Sequence, residues 1–97
     1  MREASAALEA FLDETIRRSK KAGYHPTAFI VMRGRLGSLE TVSRLVRSGE
    51  IQSGFRELRR LNLLDWSVEA AVVAFPGEFS KVDLDCARWR LDQAQGL

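Results

Sequence analysis

"HPTAFIVMRGRLGS", residues 25–38, is the stretch on which the fold class turns. Phe29, Ile30 and Val31 favour strands. Paired with residues 68–75, which include Val72, Val73, Ala74 and Phe75, they would form a small sheet. Against that, Pro26 suits a first helical position, where its missing N–H is no loss. Phe29, Ile30 and Arg33 then follow the helical repeat, with Met32 and Leu36 beside them. The spacing predicts a helix that Gly34 weakens and Gly37 turns into the next segment.

The segments on either side read as helices more plainly. Upstream, Leu8, Phe11, Leu12, Thr15 and Ile16 recur at helical spacing. Asp13 with Arg17 and Glu14 with Arg18 set acids four residues before bases, the favourable order, and the helix is expected to stop near Gly23. Downstream, Ser38 is placed to cap a helix with Leu39, Val42, Leu45 and Val46 on one stripe, closed by Gly49. Ser53 is placed to cap another, with Phe55, Leu58 and Leu61 on one side and Arg56, Arg59 and Arg60 opposite.

Residues 66–75 carry apolar residues all round, the pattern of a buried helix, with Asp65 or Ser67 as its cap and Pro76-Gly77 as its end. Glu69 would complement the positive end of its dipole. The last helix starts at Ser80, with Asp83 approximating a capping box, and runs to Gly96. Its apolar residues fall on two sides, Val82, Cys86 and Trp89 on one and Leu84, Ala87 and Leu91 on the other. One side faces the core, and the other needs a second neighbour or a partner.

The expected architecture is therefore an all-α, compact single domain of five or six short helices spanning residues 1–97. Residues 1–23 form an N-terminal amphipathic helix laid across the outside, and residues 24–97 form the helical core. A chain of 97 residues is long enough to bury a core without staples. The single cysteine, Cys86, excludes an intrachain disulfide and a Cys-cluster metal site. It reads as a small core residue. The acid-containing opening is neither a signal nor a transit peptide, and the longest apolar run, "AFIVM", is too short to span a bilayer. The expectation is a cytoplasmic protein that does not enter a membrane.

Charge is unevenly spread. Between residues 17 and 60 there are eleven bases and three acids, a net of +8, while each flank carries −3. Such asymmetry suits an anionic partner, although solvated helix faces produce it as readily. Arg44, Arg47, Arg56, Arg59 and Arg60 are the candidate contacts for an anion or nucleic acid. A helix-turn-helix with Gly49 at its turn puts Phe55 and Leu58 where apolar residues belong. Upstream it fits poorly, because Arg44 and Ser48 would face the core and Glu50 would replace an apolar turn residue.

Catalytic chemistry finds few candidates. One histidine, His25, sits at a turn before Pro26, and one cysteine and scattered carboxylates complete the inventory. Asp83 and Asp85 make an acidic first turn, not a metal pair. "RGRLGS" lacks the strand and lysine of a phosphate loop. No catalytic residue, metal, cofactor or small-molecule substrate is evident, and the chain reads as non-enzymatic.

The series "YHPTAFIVM", "SGFRELRRLNLLDWSVEAAV" and "ARWRL" resembles an uncharacterised bacterial all-helical domain. The positions that carry the likeness are Tyr24, Pro26, Thr27 and Phe29; Ser53, Gly54, Phe55 and Leu58; Leu64, Asp65, Ser67 and Glu69; and Ala87, Arg90 and Leu91. The resemblance implies an accessory module, standing alone or attached to larger proteins, and brings no activity, cofactor or catalytic residue with it. A protein partner or a homo-oligomer is the leading expectation, formed through the first helix or the spare side of the last. Nucleic-acid binding through residues 17–60 is the alternative.

Overall fold

The structure, a computed structural model, describes residues 3–48 and 53–95, and of Ser53 and Gln95 the backbone alone. Along these residues run six α-helices: α1 (Ala6–Lys21), α2 (Thr27–Leu36), α3 (Ser38–Arg47), α4 (Ser53–Arg60), α5 (Val68–Ala74) and α6 (Lys81–Gln95). Two 3₁₀ turns, Leu64–Trp66 and Pro76–Glu78, flank α5. No strand occurs among the described residues, so the domain is all-α.

Local chemistry explains the boundaries. At the start of α1 the Ser5 side chain accepts from Leu8 N. At its end Gly23 adopts φ +93°, the left-handed region that a side chain resists, and Tyr24 N returns to Ser19 O at 2.9 Å. Asn62, at φ 61°, ends α4 in the same way, with Leu63 N on Leu58 O at 2.7 Å. Ser67 is the cap of α5, accepting from Ala70 N at 3.1 Å, while Asp65 stays exposed. Pro26 lies at the cap of α2 and Thr27 is its first helical residue. The proposed roles of Gly49, of the Ser53 side chain and of Gly96 lie outside the described residues.

The core is built from Leu8 and Leu12 of α1, Val42 and Val46 of α3, Ala71 and Val72 of α5 and Ala87 of α6. The first helix, expected as an amphipathic helix on the outside, turns Leu8 and Leu12 into this core, where both are fully buried, and leaves Asp13, Arg17 and Lys20 exposed. On its flank, Phe11 packs against Trp66 at 4.9 Å and edge-on to Phe75 at 5.9 Å between ring centroids.

Nor is α5 buried all round. Ala71 and Val72 are buried, but Val73 and Ala74 are exposed, and the third buried residue of the helix is Glu69. Ser38 also departs from expectation. Gly37 precedes α3, and the Ser38 hydroxyl instead accepts from Arg33 Nε at 2.9 Å and donates to Glu9 Oε1. Arg33 further contacts Asp13 at 2.9 Å and Glu9 at 3.0 Å, joining α1, α2 and the start of α3. Asp13 is thus paired with Arg33, and Arg17 pairs with Glu14 three residues back.

Candidate functional site

The five candidate arginines lie on α3 and α4, and all five are exposed. Three are engaged at home. Arg44 Nε meets Glu40 Oε1 at 2.7 Å, Arg60 pairs with Glu57, and Arg47 Nε reaches Asp83 Oδ1 at 3.2 Å. The Arg60 guanidinium holds the Glu57 carboxyl below its ordinary pKa of 4.5. Arg56 and Arg59, together with Lys20, Lys21 and Arg35, form no ion pair among the described residues. Elsewhere in the basic segment, Arg17 and Arg18 share Glu14, which they lower to a pKa of about 2, and Arg18 also stacks 4.3 Å over the Trp66 ring.

The packing of α4 bears on the helix-turn-helix. Its buried Phe55 and Leu58 face inward as expected, yet its main support is the Leu64–Trp66 turn. The motif instead locks its second helix against its first. Arg44, which would have to face the core, is on the surface.

A second candidate surface lies on α6, whose two sides separate cleanly. Asp83, Ala87, Arg90 and Ala94 are buried, at spacings of four, three and four residues. Around the axis, Val82 is 59% and Trp89 60% exposed, with Cys86 half-buried between them and Gln93 exposed beyond. Cys86 therefore borders an outward stripe, and its expected core position is corrected. Val82, Cys86, Trp89 and Gln93 follow the alternating four-and-three spacing of a coiled-coil seam.

The buried side of α6 holds the most deeply buried ion pair among the described residues. Arg90, 4% exposed, donates through Nη1 to Glu69 Oε2 at 3.0 Å and to Leu45 O at 2.8 Å, and through Nη2 to Ser48 O. Glu69 is 1% exposed, and its second oxygen, Oε1, accepts no hydrogen bond. Burial raises the Glu69 pKa above 4.5, opposed by its own backbone N–H and by Arg90. Asp83 is held by Ser43 Oγ at 3.0 Å as well as by Arg47, while its backbone N–H donates to Ser80 Oγ at 3.1 Å. Only half of the expected capping box forms, because the Asp83 carboxylate is drawn to α3.

Sequence reasoning missed the Glu69–Arg90 pair. Both residues belong to the series that carries the family resemblance, but a glutamate in a first helical turn and an arginine in a last helix each have an ordinary surface explanation. Among the described residues no group of three His, Cys, Asp or Glu could hold a metal ion, and no helix is long and apolar enough to cross a membrane. Set against protein-family models, curated proteins and solved structures, the chain matches none.

Proposed function

We propose that the domain is a non-enzymatic interaction module that associates with a second copy of itself through α6. The observation that supports this is the exposure of Val82 and Trp89 on a seam-spaced stripe. The neighbouring charges favour a second copy as the occupant. Along one edge of the stripe Lys81, Asp85, Arg88 and Asp92 are all exposed and alternate in sign. Two such helices related by a two-fold axis perpendicular to them run antiparallel and bring the same edge of each together, so Lys81 lies opposite Asp92 of the second copy and Asp85 opposite Arg88. In a parallel pair this edge would face the other edge of the partner helix, and the alternation of sign would go unused. The accessory role implied by the sequence resemblance agrees with this reading.

One helix pair buries less than a standard interface of about 1,600 Å², so the dimer is weak and concentration-dependent. Light scattering across a micromolar to millimolar series is expected to show a monomer–dimer transition. Trp89→Glu abolishes it and leaves the melting curve unchanged. Asp85→Arg weakens it, and adding Arg88→Asp restores it. A wild type that stays monomeric throughout the series overturns the proposal.

The rival, nucleic-acid binding, draws on Arg56 and Arg59, which are exposed and form no ion pair among the described residues. It would give binding that falls steeply with salt and is lost when Arg56, Arg59 and Arg60 become Glu. Against it stand the internal partners of Arg44, Arg47 and Arg60 and the packing of α4 on the Leu64–Trp66 turn.

A further inference from the structure

A cavity of about 160 Å³ lies between the C-terminal half of α1, the start of α2, α4 and the start of α5. Phe29, Met32, Phe55, Leu58 and Val68 make most of its wall apolar. Ala28, also on the wall, is exposed, so the cavity opens to solvent beside α2.

The polar side chains of the wall are unequal. Thr15 Oγ1 donates to Phe11 O at 3.0 Å and Ser19 Oγ donates to Thr15 O at 2.7 Å, so both protons are spent inside α1. Glu69 is 1% exposed and held by Arg90, out of reach of anything in the cavity. Tyr24 differs from all three. Its hydroxyl makes no hydrogen bond among the described residues, yet it is not sealed from solvent as Thr41 Oγ1 and Glu69 Oε1 are. The oxygen lies against Gly54, a second residue of the same wall, so close that a Cβ there would be 2.8 Å from it. Glycine at this position leaves the hydroxyl its room. Burial, and then the nearby Glu57 carboxylate, raise the Tyr24 pKa above 10.0, so the proton stays on the oxygen at neutral pH.

We propose that this cavity binds a compact, neutral, apolar molecule carrying one acceptor oxygen, such as a small ketone, to which the Tyr24 hydroxyl donates. The one unspent donor of the wall calls for an acceptor, and the Glu57 charge felt at Tyr24 disfavours an acceptor that is itself an anion. The volume suits about six or seven non-hydrogen atoms, since an apolar cavity of about 150 Å³ takes benzene. The site is separate from the α6 seam, and neither depends on the other.

Cyclohexanone and toluene test it, being matched in size and differing in the acceptor. In a two-dimensional amide NMR titration of the whole protein, cyclohexanone is expected to saturate and to shift the Tyr24, Gly54 and Val68 signals. Tyr24→Phe removes only an oxygen that bonds nothing within the domain, so its melting curve is expected to match that of the wild type. In this variant cyclohexanone is expected to bind about fivefold more weakly, the worth of one net hydrogen bond, while toluene binds as before. The proposal is overturned if cyclohexanone does not bind at millimolar concentration, as when water alone fills the cavity. A Tyr24→Phe variant that binds cyclohexanone as well as the wild type does, or that loses both compounds equally, overturns it as well.

Discussion

Arg90 on α6 and the arginines of α4 carry the same charge into opposite surroundings. Arg56, Arg59 and Arg60 project into solvent, and the single ion pair among them in the described residues, Arg60 with Glu57, lies at the surface. Arg90 is bound on three sides in the interior, by the Glu69 carboxylate and by the Leu45 and Ser48 carbonyls at the end of α3. A planar guanidinium suits this place, since it divides its donors among acceptors on separate segments. The dense patch of charge is thus energetically slack, while one isolated arginine joins α3, α5 and α6. A run of like charges along a helix marks a surface; it does not mark where charge holds the fold.

The sharpest way to break this contrast is Arg90→Met. It leaves Glu69 buried without its cation and removes a donor from the α3 C-terminus, so a loss of about 3–5 kcal/mol is expected in urea denaturation. Adding Glu69→Leu is expected to recover most of that loss, because replacing a buried pair by apolar groups is often neutral. If the two losses simply add, the residues do not act as a pair.

The same pair gives a pH signature. Glu69 has a folded pKa above 4.5, so in that range the folded chain binds more protons than the unfolded one. Its contribution to stability is complete below pH 4.5 and is lost as pH rises through the folded value. Glu14 and Glu57 are shifted the other way, so their contributions disappear only as pH falls below 4.5. Urea midpoints from pH 4.5 upward are expected to fall in the wild type and to lose that fall in Glu69→Gln.

Arg47→Ala is expected to cost about 1 kcal/mol, between the extremes, because Asp83 is buried but keeps its bond from Ser43. At the small end, replacing Arg56, Arg59 and Arg60 by Glu is expected to cost within about 0.5 kcal/mol each in thermal melts. A triple mutant as unstable as Arg90→Met would erase the distinction between the two settings.

What the sequence made legible follows the range of the forces involved. The helices were readable because caps, glycines and apolar spacing act within a few residues: Ser67, Gly23 and the stripe of Leu8 and Leu12 mark structure at their own positions. The inward face of α4 and the two-sided character of α6 were readable for the same reason. Which side of α6 would be covered was not, because Asp83 and Arg90 are polar and mark the inner side only once Ser43 and Glu69 are known to lie against them. The burial of Glu69 was hidden in the same way. The buried stripe of α1 was readable too, but not that it would meet α3, α5 and α6 in one cluster.

The placement of α1 has a consequence for the order in which the chain can be assembled. Ser5 N donates to Glu78 Oε1 at 2.7 Å, across 73 positions, and the surfaces that cover Leu8 and Leu12 include Ala71, Val72 and Ala87. A ribosome makes α1 first and these partners last. Within this domain the two leucines therefore lack their α5 and α6 cover until those helices have emerged. Of the helices of this domain, the one made earliest is the one that must wait for the latest to complete its cover.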